Sequence, residues 1–206
     1  MNESKGFFPA TSMPDADWWH ALWPRPREVL ERLSLTSDAV VVDLCCGDGL
    51  FTLPLARMVE SVVAIDLDPA MLSVAQDRAH SEGISNCTFI VGDAYDLERL
   101  VSGRRVDVVM IANTFHGVPD KARLARAVAA VLKPGGRFIV INWHRRLREE
   151  TTVFGQPRGP KTEMRMTPEE VGVAVAGAGL RLVSVVELLP YHYAVIFGKL
   201  GVSVPD

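Results

Sequence analysis

The chain is poor in cysteine. It has only Cys45, Cys46 and Cys87, an odd number without a disulfide framework, so a reducing compartment, by default the cytoplasm, is expected. No run of roughly 18 or more apolar residues occurs, which excludes a membrane-spanning helix. The stretch from Met1 to Asp17 lacks the apolar centre of a signal peptide, so no export leader is expected there. Charge of one sign is also missing. A formal net charge of -3 provides no general attraction to nucleic acid or an anionic membrane, and any basic site must be local. Internal repeats and low-complexity tracts are absent. What is present is 206 residues with 48% hydrophobic and 23% charged side chains, enough for one globular domain with a sizeable core.

The most informative stretch is Val40-Val41-Val42-Asp43-Leu44-Cys45-Cys46-Gly47-Asp48-Gly49, followed by Val62-Val63-Ala64-Ile65-Asp66. It reads as a buried strand, a glycine loop, a helix and a second strand ending in a carboxylate. This is a nucleotide-binding βαβ unit, with the second acid about 20 residues beyond the loop, where it can reach a ribose. Asp43 narrows the choice of nucleotide. It sits at the tip of the first strand, where a dinucleotide enzyme brings its pyrophosphate to the helix N-terminus. A carboxylate there repels pyrophosphate and suits a ligand carrying an ammonium and a sulfonium, so the loop favours S-adenosylmethionine over NAD.

Strand and helix patterns then alternate regularly. A short helix over 27–33 leads into a strand over 39–44, a helix over 50–58 and a strand over 61–66. Asp68-Pro69 is a helix start, with an N-cap acid and proline at the first position, and Gly83 ends that helix. Strands are expected over 88–91 and 106–112, the latter a continuous apolar run suited to burial on both faces. Asp120 opens a helix that runs to Leu132, and Lys133-Pro134-Gly135-Gly136 breaks it before a strand over 137–143. An irregular polar segment over 145–166 follows, then the capping box Thr167-Pro168-Glu169-Glu170. The runs 180–188 and 191–199 are joined only by Leu189-Pro190, too short for a crossover helix, so they must be antiparallel neighbours. The expected fold class is α/β: a Rossmann-like, doubly wound, seven-stranded sheet, mostly parallel with an antiparallel last strand. Residues 1–26, rich in proline and tryptophan, form an appendage and potential active-site lid, and 27–206 form the domain proper.

This layout resembles the class I S-adenosylmethionine-dependent methyltransferases over nearly the whole chain, about residues 40–199. Asp43-Leu44-Cys45-Cys46-Gly47-Asp48-Gly49 resembles the family's acid-x-Gly-x-Gly-x-Gly loop. Val63 to Leu72 resembles its strand-acid-turn-helix motif, Gly92-Asp93-Ala94 its third, and Leu132-Lys133-Pro134-Gly135-Gly136 its fourth. The resemblance implies S-adenosyl-L-methionine as cofactor. It places the backbone of Leu44, Cys45, Cys46, Gly47 and Gly49 around the methionine end, with Asp43 nearby, directly or through water. Asp66 would accept both ribose hydroxyls. Leu67 would lie on the adenine face, Asp93 and Ala94 at its edge, and the Asn113 carbonyl near the ammonium. Cys45 departs from the pattern, standing where the family usually has its first glycine; a positive φ there would strain it.

The acceptor side is expected beyond the carboxyl ends of the later strands. His116 is the candidate general base, or else a histidine that caps the loop after the fourth strand. Trp143, His144, Arg145 and Arg146 follow the fifth strand, and Tyr191 and His192 open the last hairpin; all six are candidates for substrate contact. Arg145 and Arg146 could form an anion clamp within a basic group that includes Arg148, Arg158, Lys161 and Arg165, or the segment could be self-paired and solvated. Trp18, Trp19 and His20 are lid candidates and Trp23 a docking anchor. No metal site is expected, because no histidine pair has helical ligand spacing and no acid cluster accompanies the histidines. The reading is a small-molecule methyltransferase without nucleic-acid or membrane partners, its oligomeric state unread. A non-catalytic S-adenosylmethionine-binding module and an NAD-binding oxidoreductase are the alternatives.

Overall fold

The central strands are buried almost continuously, and their successive side chains join two apolar layers in turn. Val42 and Leu44 of β1 (Val40–Leu44) face one side and Val41 the other. The same division runs through β2 (Ser61–Asp66), β4 (Val106–Ala112) and β5 (Leu132–Trp143). The remaining strands are β3 (Cys87–Val91), β6 (Leu180–Leu188) and β7 (His192–Lys199). The computed structural model describes residues 8, 9 and 11–200, so the first seven residues of the appendage lie outside the described residues.

The seven strands form one sheet in the order β3-β2-β1-β4-β5-β7-β6. All neighbours are parallel except β7, which runs antiparallel to both β5 and β6. This is the expected doubly wound α/β sheet with its reversed last strand. The chain order reverses beside β1 and β4, so a crevice opens at their carboxyl ends, where α/β sheets hold ligands.

The helices are α1 (Ala16–Leu22), α2 (Pro26–Glu31), α3 (Thr52–Ala56), α4 (Pro69–Ser81), α5 (Leu97–Leu100), α6 (Lys121–Val131) and α7 (Pro168–Val175). Residues of α5, α6 and α7 contribute to one layer and residues of α1, α2 and α3 to the other. The cap signals hold. Asp68 accepts the Ala70 N–H at 2.8 Å, Asp120 accepts the Arg123 N–H at 2.8 Å, and Thr167 and Glu170 form the reciprocal capping box. Gly83 takes φ +67° just past α4, as a C-terminal stop requires.

Three elements differ from expectation. β5 begins at Leu132, directly after α6, because Leu132 already pairs with Val106 before a register shift sets the rest of the strand. The irregular segment carries a short hairpin, Thr152–Val153 with Gln156–Pro157. The appendage contains α1, whose buried Trp18, Trp19 and Leu22 lie at helical spacing on one face.

Candidate active site

The first strand delivers Asp43 into the interior, 2% exposed. The Thr52 hydroxyl of α3 donates to its carboxylate at 2.6 Å. Burial, with a smaller contribution from nearby Asp66, pushes the Asp43 carboxyl up to about 7 despite that hydrogen bond. An anion in this position lacks a cationic partner among the described residues. After β1 the chain turns through left-handed conformations at Cys45 (φ +57°), Gly47 (+57°) and Gly49 (+82°). Cys45 therefore carries the strain anticipated for it, about 1–2 kcal/mol for a side chain in the left-handed region. Burial raises the Cys45 and Cys46 thiols above their ordinary range, so neither supplies a thiolate nucleophile.

Asp66 ends β2 and ties the loop down. It accepts the Gly47 N–H at 2.8 Å on one oxygen and the Asp68 N–H at 2.9 Å on the other. A carboxylate has about four acceptor sites, so one lone pair on each oxygen remains for a ligand. Asp93 lies two residues beyond β3 and accepts the Tyr95 N–H on one oxygen at 2.9 Å. Asn113, just past β4, takes φ +59°, which asparagine tolerates better than most residues. Its side-chain nitrogen and oxygen are both buried without a protein partner.

These groups surround one cavity of about 710 Å³. Acids line one side of it: Asp43, Asp66, Asp68 and Asp93. Trp18, Trp19, Phe51 and Trp143 form an aromatic wall, and His116, 6% exposed, reaches it from the turn after β4. Phe8 and the stretch from Thr11 to Asp15 also line the cavity. Met13 lies over Gly47, Phe8 packs edge-on against Tyr95 at 5.6 Å, and Pro9 passes so close to Gly117 that a side chain there would meet its carbonyl.

Residues 41–136 match the family described as a methyltransferase domain. The chain is 32% identical over 170 residues to a ubiquinone biosynthesis O-methyltransferase of Methylobacterium nodulans, covering 78% of this chain and 64% of that enzyme. Its fold superposes on a SAM-dependent methyltransferase from Aquifex aeolicus with a TM-score of 0.72 at 24% identity, covering 85% of this chain and 89% of that one. The chain belongs to the class I S-adenosylmethionine-dependent methyltransferases.

It is also 29% identical over 126 residues to a demethylmenaquinone methyltransferase of Lactiplantibacillus plantarum, covering 59% of this chain and 52% of that enzyme. The chain thus spans between half and just under two thirds of the length of these two curated relatives. Its cofactor is S-adenosyl-L-methionine, and the cavity suits it. An unpaired buried carboxylate, two free lone pairs on Asp66 and an unsatisfied Asn113 amide are what a ligand with an ammonium and a ribose would complete.

Of the residues expected around the cofactor, Asp43, Cys45, Cys46, Gly47, Asp66, Leu67, Asp93, Ala94 and Asn113 line the cavity. Leu44 is instead fully buried in the apolar layer, and Gly49 lies behind the loop, 3.1 Å from the Ala75 methyl when a Cβ is placed on it. Of the substrate candidates, Trp18, Trp19 and Trp143 line the cavity. The others lie off it. His20 is exposed near Asp48, 3.8 Å from its carboxylate. His144 pairs with Glu187 at 2.9 Å, Arg145 pairs with Glu170, and Arg146 is exposed. Tyr191 stacks on Trp143, and its hydroxyl donates to the Thr152 carbonyl at 3.0 Å.

His192 is the sharpest correction. Pairing of Trp143 with His192 does bring the ends of β5 and β7 together, as the sequence implied. Yet the His192 ring is wholly buried between Trp23 at 4.3 Å and Trp143 at 4.2 Å, and burial depresses its pKa well below 6.5. It is a neutral core residue. The clamp candidates Arg145 and Arg146 lie off the cavity, the former self-paired with Glu170, whereas Arg148, Arg158 and Lys161 stand on its wall. A β-pleat alternates directions, but this segment is not a strand, so no period could have said which of its arginines turn inward.

Proposed function

We propose that this chain transfers the sulfonium methyl of S-adenosylmethionine to a small organic acceptor, leaving S-adenosylhomocysteine. The observation that carries this reading is the composition of the cavity at the carboxyl ends of the strands. An acidic side built on β1, β2 and β3 adjoins an aromatic side walled by Trp18, Trp19 and Trp143, with His116 beside both. Its volume, about 710 Å³, is ample for a small ligand and far too small for a macromolecule. The relatives named for ubiquinone and demethylmenaquinone methylation support a small acceptor.

When bound, the cofactor supplies a methyl group already activated by the positive sulfonium. The protein's residues then have to bind and align. Asp43 neutralises the ammonium end, Asp66 holds the ribose, Leu67, Asp93 and Ala94 frame the adenine, and Asn113 contributes its amide. The aromatic wall holds the acceptor flat and dry. His116 accepts the proton from the acceptor's nucleophilic atom. The described part of the appendage, residues 8, 9 and 11–26, acts as a lid over the domain that begins at residue 27, supported by Met13 over Gly47 and Pro9 against Gly117. The net charge of -3 and three unpaired cysteines fit a small-molecule enzyme of the cytoplasm, without nucleic-acid or membrane partners. No helix of the described residues is long and apolar enough to cross a membrane.

Calorimetric titration with S-adenosylmethionine, S-adenosylhomocysteine and NAD tests the reading. Micromolar binding of the first two, lost in Asp66→Ala, is expected; preference for NAD would overturn it. Once an acceptor is found, His116→Gln is expected to lower kcat by about 10²- to 10⁴-fold, the usual contribution of a positioned base. The acid limb of the pH–rate profile should flatten with it. An unchanged profile would remove His116 from the chemistry.

A further inference from the structure

The cations of the segment between β5 and α7 are arranged in an unusual way. Arg148, Arg158 and Lys161 all line the cavity, and Arg165 lies buried behind them, 2% exposed. None of the four forms an ion pair among the described residues, although Glu149 and Glu150 are adjacent in sequence and exposed. The three arginines are held by neutral groups instead. Arg148 donates through Nε to the Gly159 carbonyl at 3.1 Å, leaving both terminal nitrogens without a protein partner. Arg158 sits over the Trp18 ring at 5.1 Å with its Nε buried and unsatisfied. Arg165 donates to the Pro160 and Arg158 carbonyls and the Thr151 hydroxyl, stands over the Trp143 ring at 5.1 Å, and keeps Nη1 buried and unsatisfied.

This assembly is built around the aromatic wall. Gly159 lies so close to Trp143 that a side chain there would stand 2.9 Å from its ring. The tryptophans thus carry guanidinium groups at their faces and leave the acidic side of the cavity to the cofactor. Glu149 and Glu150 act on Arg165 through space without a direct ion pair, and cations gathered without direct ion pairs, with orphaned N–H donors, are costly unless a ligand supplies the acceptors. A guanidinium anchored by Nε presents its terminal nitrogens as a fork that matches an oxyanion.

We infer that Arg148, Arg158 and Lys161 form an oxyanion site in the acceptor half of the cavity, so that the methyl acceptor is a small molecule bearing a carboxylate or phosphate group. Arg165 acts behind them as a positioning residue, fixing the Arg158 and Pro160 carbonyls. The inference rests on the methyl-transfer reading for the word acceptor, but the site itself is testable without turnover.

The full-length protein, saturated with S-adenosylhomocysteine, is titrated by calorimetry with benzoate, phenyl phosphate, inorganic phosphate and the neutral benzamide. At least one aromatic anion is expected to bind about tenfold or more tightly than benzamide. Arg148→Gln should weaken that anion about tenfold, and Lys161→Gln, exposed and harmless to folding, by a few-fold. Benzamide and S-adenosylhomocysteine affinities should stay unchanged in both variants. Benzoate favoured over phenyl phosphate identifies a carboxylate site, and the reverse a phosphate site. Inorganic phosphate matching both would mean that the aromatic wall contributes nothing, which overturns the acceptor assignment. Equal affinity for anion and benzamide, insensitivity to Arg148→Gln and Lys161→Gln, or no anion binding up to about 20 mM would also overturn it. Failure of S-adenosylhomocysteine itself to bind would instead sink the methyl-transfer reading, and the anion series run without it would still judge the site.

Discussion

Asp43→Asn is expected to abolish most cofactor affinity while making the protein more stable at pH 8. Both effects come from one buried carboxylate. Its pKa is pushed up to about 7 from 3.8, mainly by burial. At about 1.4 kcal/mol per tenfold, keeping it ionised costs the folded state on the order of 4 kcal/mol at pH 8. The sign follows from proton binding. Between pH 4 and 7 the folded protein holds the proton and the unfolded chain does not, so the stabilisation from the protonated form is lost as pH rises through about 7. Asparagine keeps an acceptor for the Thr52 hydroxyl and removes the charge. A melting temperature higher by on the order of 10 °C at pH 8, with little gain at pH 4, is the expected result.

Cofactor binding shows the opposite side of the same trade. Loss of the buried partner of a cationic ligand should weaken S-adenosylmethionine binding by about 2–3 kcal/mol, some 30- to 150-fold. In the unsubstituted protein, binding must ionise Asp43, so affinity should fall as pH drops below about 7, approaching tenfold per pH unit. Calorimetry at pH 6 in buffers of different ionisation enthalpy should detect release of close to one proton. Pairwise equal affinity at pH 6 and 8, or an Asp43→Asn variant that binds normally, would remove Asp43 from the cofactor site.

Trp23→Ala is expected to cost about 3–5 kcal/mol, the range for deleting a large buried aromatic, and to lower the melting temperature by on the order of 10 °C. Trp23 is 2% exposed and packs against Trp19, Phe51 and His192. Removing residues 1–24 should therefore destabilise the fold itself, whereas removing residues 1–15 spares α1 and should affect chiefly the cavity's closure. A pH signature separates packing from other causes. His192 is held neutral by burial, so the unfolded chain takes up a proton that the folded one does not, and stability falls as pH drops below about 6.5. Trp23→Ala admits water to that ring and should shrink this loss between pH 7 and 5.5. An undiminished pH dependence would mean that Trp23 does not seal His192.

The central βαβ unit was legible because its constraints are local. An apolar run, a turn that needs left-handed residues, and an acid at the end of β2 follow each other within about 25 residues. Cap residues were equally readable, since Asp68, Asp120 and Thr167 act on backbone groups two or three positions away. The short Leu189-Pro190 link determined the β6–β7 hairpin by its length alone. Even α1 left a signal, the spacing of Trp18, Trp19 and Leu22, although it is too short for periodicity to stand out.

The acceptor side obeyed no such local rule. His192 and Trp143 face each other across two strands, and which ring meets the cavity depends on what α1 packs against from the far end of the sequence. Arg145 and Arg148 differ by three positions in an irregular segment, yet one pairs with Glu170 and the other lines the cavity. The sequence by itself therefore determined the sheet, the cofactor and the acids that line one side of the cavity, because hydrogen bonding and chain reversal decide those over short distances. Only the tertiary structure decided which tryptophans, histidine and arginines form the acceptor chamber, because side-chain direction outside regular elements is set by contacts between segments distant along the chain.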